Sequence, residues 1–288
     1  MEYLINIGIL FCIYSMLALS LNMAVGLSGL VSLAHAAFYG IGAYAVAILM
    51  TMYGFGFWSA LLCGVLLNAV LSLTIGKILS GFKGDYYAIV SAGLSVIVFS
   101  VLLNFKSLTR GPLGIYGIGK PAIGHFYFYS SGSFFALSLI VTALFYVMFV
   151  LIDRSSFGRT LKALREDEAL TVCMGYKTIR YKNIIFAVSA VTAGIAGSFF
   201  ASYIAFIDPT SFQLAEGIFF FTMITVGGLS SAFGSIVGAA ILLALPESLR
   251  FLGLPYETAA QLQQMIYGAL LVLMMAFRPQ GLFGKFKV

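Results

Sequence analysis

Residues 114–120, Gly-Ile-Tyr-Gly-Ile-Gly-Lys, have the G-x-x-x-x-G-K spacing with which a phosphate-binding loop wraps a nucleotide. Pro121 stands where that loop needs a Ser or Thr hydroxyl for Mg²⁺, and no strand and helix frame the glycines. The match is therefore rejected. With only His35 and His125, and neither an H-E-x-x-H nor a G-x-S-x-G, a metal site or a nucleophilic triad has little to draw on. Cys12 and Cys63 fall within apolar runs and Cys173 in a charged stretch, without the paired spacing of a disulfide or zinc site, so they read as packing residues. No enzyme chemistry, metal or cofactor is expected.

The elements that carry these residues are overwhelmingly apolar. Of 288 residues 61% are hydrophobic and 9% charged, with a mean hydropathy of +1.04, where a soluble domain carries about 25% charged residues. Runs of membrane-spanning length, about 20 residues, fall near 3–25, 30–53, 57–77, 86–104, 133–152, 183–206, 214–230, 234–249 and 259–277. The fold expected is an all-α polytopic membrane bundle of about nine segments, eight to ten, some of them broken. The whole of 1–288 reads as one membrane domain. The first run lacks a cationic start and a cleavage site, so it is expected to stay as a span rather than leave as a signal peptide.

Lys/Arg excess marks the cytoplasmic side of such a bundle. The longest charged stretch, 153–182, holds Arg154, Arg159, Lys162, Arg165, Lys177, Arg180 and Lys182, and is expected to be cytoplasmic. Counting outward puts Lys77, Lys83, Arg278, Lys285 and Lys287 inside with the C-terminus, and the N-terminus outside. The three cations between Lys106 and Lys120 then land outside, so either they dock an external partner or the count slips there. The net charge of +6 needs only this topology and no nucleic acid.

Two regions are rich in Gly and Ser: Gly26-Leu27-Ser28-Gly29 leading to Ser32, His35, Gly40 and Gly42, and Gly227-Gly228-Leu229-Ser230-Ser231 leading to Gly234 and Gly238. Interrupted helices in corresponding halves point to transporters, because freed backbone groups must line a cavity or be buried in protein. Glycines that merely let helices pack closely are the other reading, and the two are compatible. Ala190, Gly194, Ser198 and Ser202 recur every four residues on one face and predict such packing. Asn22 and His35 beside the first break are candidates for lining a path or for a hydrogen-bonded packing role. Asp85 at a helix entrance and Glu216 near the start of a broken segment are expected at the membrane interface rather than in a proton relay.

Within 153–182, a helix from Arg159 to Met174 is expected, capped by Ser155 or Ser156 and ended by Gly175. Leu161, Leu164, Leu170, Met174 and Tyr176 are too apolar for a solvated element, so this helix should lie on the membrane or in another protein's groove.

The chain resembles the LivM-type permeases of ATP-binding-cassette importers for branched-chain amino acids. The likeness is carried by residues 29–44, by Gly84-Asp85-Tyr86-Tyr87-Ala88-Ile89-Val90, Gly111-Pro112-Leu113-Gly114-Ile115, Arg165-Glu166-Asp167-Glu168, Gly227-Gly228-Leu229-Ser230-Ser231 and Arg278-Pro279-Gln280-Gly281-Leu282. It implies a permease of the cytoplasmic (inner) membrane that pairs with a homologous second permease, two cytoplasmic ATPases that bind the ATP, and an extracytoplasmic solute-binding protein. Glu168-Ala169 and Gly175 look like the Glu-Ala-Ala…Gly loop of importer permeases, so coupling to the ATPases would involve Arg159, Arg165, Glu166, Asp167, Glu168 and Gly175. Asn22, Gly29, Ser32, His35, Gly40, Gly42, Gly227, Gly228, Ser230 and Gly234 are the candidates for lining the path or breaking the helices. Similar permeases serve urea and short amides, which stays open as an alternative, as does an ion-coupled carrier.

Overall fold

The structure, a computed structural model, describes residues 2–82, 84–123, 126–128, 130–250, 256–278 and 280–284. Lys83, His125, Pro279, Lys285 and Lys287, all named above, lie outside the described residues. In chain order the helices are α1 (Glu2–Ser28), α2 (His35–Thr51), α3 (Phe57–Leu79), α4 (Asp85–Asn104), α5 (Lys106–Thr109), α6 (Ser131–Arg154), α7 (Ser156–Glu166), α8 (Glu168–Cys173), α9 (Thr178–Ile204), α10 (Leu214–Gly227), α11 (Ala232–Arg250) and α12 (Tyr256–Phe277). Each of the nine apolar runs carries a helix, because an apolar run in lipid must close its backbone hydrogen bonds within itself. The chain is an all-α polytopic membrane bundle.

Five helices, α1, α3, α4, α6 and α9, are long and apolar enough to cross a membrane alone, and α10 with α11 forms a pair bent by 119° at its break. Burial ranks them. In α9 72% of the most apolar stretch is buried, against 22% in α4 and α6, so α9 stands at the centre and the other two at the rim. Ile89, Ile97, Leu144 and Leu151 are exposed on that rim. A surface as apolar as the interior is what a lipid-facing wall requires.

The centre is drawn together by small residues, as the four-residue repeat on α9 predicts. A Cβ on Gly42 would run into the backbone of Gly194, and one on Gly197 into Tyr39 and Ala43. The Ser198 hydroxyl donates to Gly42 O at 3.3 Å and that of Ser202 to Gly119 O at 2.6 Å. Gly40 is filled by the Phe212 ring. Of the path candidates, Gly40 and Gly42 are thus packing positions, where α2 meets α9 and Phe212.

The bundle has two unlike ends. At one, α1 finishes, α7 and α8 lie across, and α10 turns into α11. At the other, Ile115–Tyr116 pairs antiparallel with Phe206–Ile207, the Arg110 guanidinium sits 5.3 Å from the Tyr116 ring centre, and Tyr3 donates a hydrogen bond to Glu247. Lys106, Arg110 and Lys120 belong to this second end, opposite Arg165.

Candidate functional site

The loop helix predicted over Arg159–Met174 is two helices. Ser155 caps α7 by accepting from Gly158 N at 3.1 Å, as expected. At Asp167 the backbone turns extended (φ −150°, ψ 107°), and its carboxylate accepts from Leu170 N at 2.9 Å, starting α8 afresh. An Asp before Glu-Ala-Leu is an N-cap in competition with helix continuation, and here it wins. Gly175 follows α8 in the left-handed region (φ +86°), the C′ role foreseen for it.

Burial divides the apolar residues of this loop. Leu161 and Leu164 on α7 are buried inside the chain, whereas Leu170, Val172, Met174 and Tyr176 are exposed on and after α8. Glu168 and Lys182 form an ion pair at 2.7 Å, tying α8 to α9, with Lys182 only 5% exposed. A second pair, Lys162 and Asp153 at 2.6 Å, ties α7 to α6. Glu168 is thereby a strut, Arg159 is exposed and donates to Arg154 O at 3.1 Å, and Glu166 is exposed.

Arg165 does something different. Its Nη1 donates to Gly26 O at 2.5 Å and to Ser230 Oγ at 2.9 Å, and the Ser230 hydroxyl itself donates to Gly26 O. A Cβ on Gly29, where φ is +71°, would strike the Arg165 side chain at 2.8 Å. Burial pushes the Arg165 pKa down and Glu166 opposes the shift, but a guanidinium stays charged. One cation on the loop therefore grips the end of α1 and the break between α10 and α11 together.

The second break is closed by Asn22. Its amide donates to Gly228 O (3.2 Å), Ser231 O (3.1 Å) and Ser235 Oγ (2.7 Å), and its Oδ1 accepts from Ser230 N (3.0 Å). Asn22 is fully buried. It is a clamp on backbone groups that the interrupted helix leaves open. Gly227 packs on Gly234 and Gly238 with no room for a Cβ, and the turn 280–284 closes from below through Leu282 N to Val226 O and Phe283 N to Gly227 O, both 3.0 Å.

The first break, Gly29–Ala34, runs unwound from the end of α1 back into the bundle. Leu33 N donates to Ser91 Oγ at 3.0 Å and Leu33 O accepts from Ser95 Oγ at 2.6 Å. Ser32 Oγ accepts from Ala34 N at 3.3 Å. His35 then opens α2 at the depth of Ser20 and Ser189: its Nε2 is 2.5 Å from Ser189 Oγ, which donates to Ser20 O at 2.9 Å. Since Ser20 lies eight residues before Ser28, the strand of chain has climbed about 12 Å. His35 is buried (1% exposed), with its Nδ1 unpartnered among the described residues. A cavity of about 470 Å³ lies under this break, bordered by Gly29, Val31, Asp85, Tyr87, Arg165 and Glu168.

Sequence reasoning missed the two serines of α4, although their i, i+4 spacing in an apolar helix was a usable signal. Glu216 stands, as expected, at the start of a broken segment. It is in the first turn of α10 and lines a second cavity, with Tyr14, Glu247 and Tyr267.

A lipid-faced bundle with one sharply bent helix pair and an unwound run after α1, both gripped from a loop, is the architecture of a polytopic membrane permease. The chain belongs to the family described as the permease component of the branched-chain amino acid transport system, whose model matches residues 3–275. It is 36% identical to the high-affinity branched-chain amino acid transport system permease protein LivM of Salmonella typhimurium, over 96% of this chain and 69% of that protein. The LivM protein of Escherichia coli K12 is similar to the same extent, and the LivH permease of Escherichia coli K12 is 27% identical over 94% of this chain and 91% of its own length. No solved structure matches the chain. Gly26–Gly29, Arg165, Gly227–Ser231 and Gln280–Leu282, distant in sequence, meet at one junction, and most carry the family likeness.

Proposed function

We propose that this chain is the membrane-spanning subunit of an ATP-driven importer that moves branched-chain amino acids across the cytoplasmic membrane, with 153–182 and the C-terminus on the cytoplasmic side. The names of the relatives support the solute class, and Escherichia coli K12 holds two such permeases, LivM and LivH, which supports pairing with a homologous second chain. ATP is hydrolysed by two separate ATPase subunits, and a solute-binding protein delivers from the opposite face, where Lys106, Arg110 and Lys120 lie. The exposed Leu170, Val172, Met174 and Tyr176, edged by Glu166 and Asp167, are the surface a groove in the ATPase would take.

The observation that carries the reading is Arg165. Movement of α7 by an ATPase cannot leave Gly26 and Ser230 in place, because one guanidinium is bonded to both. Docking is thereby converted into displacement of both broken helices, the bistable element that alternating access requires. Purification of the tagged chain from its native membrane tests the assembly: two ATPases with phosphate-binding loops and a second polytopic permease are expected, and a lone homo-oligomer would sink the proposal. In the assembled importer, Arg165→Ala is expected to cut uptake per ATP hydrolysed by about tenfold or more, the worth of a charge-assisted bond. Arg165→Lys should recover only part of it, since an ammonium cannot span two acceptors as a planar fork does.

A further inference from the structure

The cavity at the end opposite Arg165 is not accounted for by coupling or by packing. It measures about 400 Å³ and lies between α1, α10, α11 and α12, among Tyr14, Glu216, Phe219, Leu243, Glu247 and Tyr267, inside the range of about 300–1,000 Å³ typical of small-molecule sites. Its polar groups are lopsided. Glu247 is held by Tyr3, and the Tyr267 hydroxyl accepts from Gln263 Nε2 at 2.7 Å and donates to Leu242 O at 3.3 Å.

The Glu216 carboxylate, by contrast, has no hydrogen-bond or ion-pair partner among the described residues, and neither does the Tyr14 hydroxyl beside it. Behind them stands Tyr39, 2% exposed, its hydroxyl also without a partner and within electrostatic reach of both Tyr14 and Glu216. Tyr14 and Tyr39 meet the same Phe220 ring, at 6.2 and 5.6 Å. A carboxylate able to carry a full negative charge thus lies with two uncommitted tyrosine hydroxyls, Tyr14 beside it at the cavity and Tyr39 behind. An unpaired carboxylate within membrane helices is expensive and marks function by default. What satisfies it is a compact group made only of donors and bearing positive charge, which is an ammonium.

We propose that this cavity is a binding site for the ammonium group of the transported solute, with Glu216 as the charge that reads it and Phe219 and Leu243 as the apolar wall against which a branched side chain rests. The inference rests on the importer reading above and adds where the solute is recognised within the permease. Recognition through the amino group rejects a fatty acid of the same shape, because leaving the Glu216 carboxylate in the cavity without its cation is unfavourable in a way that a missing methyl group is not.

Binding of radiolabelled L-leucine to the purified complete permease–ATPase complex, without the solute-binding protein, tests it. Glu216→Gln, which keeps the shape and removes the charge, is expected to weaken binding by about ten- to a hundredfold. Glu216→Asp, which restores the charge, should recover most of it and exclude misfolding as the cause. Tyr14→Phe should cost only a few fold. Leucine methyl ester, which keeps the ammonium, is expected to displace the label from the wild-type complex, whereas 4-methylpentanoate, which lacks it, is not.

Wild-type affinity retained by Glu216→Gln, or equal displacement by the two competitors, would overturn the site. So would a wild-type complex that takes up leucine with ATP yet binds none here. A wild-type importer that moves no branched-chain amino acid at all refutes the importer reading itself, so the two failures are told apart.

Discussion

Between Gly29 and Ala34 the chain travels six residues without helix, its carbonyl and amide at Leu33 answered by two serine hydroxyls of α4. Between α10 and α11 it turns back within Gly228–Ser231, held by four hydrogen bonds from Asn22 and by the turn 280–284 beneath. Both breaks have a Gly-Leu-Ser beside them, yet the likeness does not place them in equivalent positions. In the first, Gly26-Leu27-Ser28 is still helix, the Ser28 hydroxyl donating to Ala24 O at 2.6 Å, and the chain breaks after it. In the second the triplet is the break. The two do not mirror each other across the bundle; they touch, Ser230 donating to Gly26 O. The difference teaches that one break is a fixed corner and the other a tethered run beside a cavity, with Arg165 joining them. Motion of α7 should therefore be taken up in Gly29–Ala34 while Gly228–Ser231 moves as a rigid piece.

Asn22→Ala strikes the fixed corner hardest. It removes all four bonds at once and leaves Gly228 O without its donor and Ser230 N without its acceptor. Interhelical hydrogen bonds in membranes are modest singly, but stranded acceptors add their desolvation, so a loss of about 2–4 kcal/mol is expected. Thermal unfolding in mild detergent reads it. If the variant melts like the parent, Asn22 is no clamp and the two breaks are held alike.

How far this was legible in the sequence can be judged from the same residues. The nine runs were, because lipid allows few answers to a long apolar stretch. The loop's caps were partly so: Ser155 and Gly175 behave as their types dictate, but Asp167 splitting the helix required weighing an N-cap against continuation, and a carboxylate between two glutamates reads equally as solvated charge. Asn22 was singled out without its role, since nothing local says that an asparagine on α1 faces residues 206–213 positions later in the chain. Arg165 looked like one cation among seven. Its choice depends on α7 crossing the end of α1, a tertiary fact. Gly40 and Gly42 show the opposite limit: within each broken region the same residue type serves packing at some positions (Gly42, Gly227) and turning at others (Gly29, Gly228).

Gly228→Ala sharpens the contrast from below. At φ +123° an L residue is strained, and the added Cβ would press on Gly284 N and the Phe283 carbonyl carbon. A cost of about 1–3 kcal/mol is expected, relieved by release of the turn from Val226 and Gly227. Limited proteolysis near residues 280–284 should then cut the variant sooner than the parent. Equal cutting rates with equal stability would mean that the turn does not brace the corner.

The smallest effect is expected at the first break. Ser91→Ala or Ser95→Ala each removes one hydroxyl from Leu33 and should cost about 1 kcal/mol, the net worth of a single neutral hydrogen bond. The telling quantity is the ratio of effects. If Gly29–Ala34 is the run that moves, the double variant should change the rate of uptake in the assembled importer more than its melting temperature, while Asn22→Ala does the reverse. Should the serine pair cost as much stability as Asn22, the first break is as firmly fixed as the second, and the division of labour between them fails. A difference in the expected direction would place the hinge of the permease where backbone is answered by two hydroxyls rather than by an amide held on four sides.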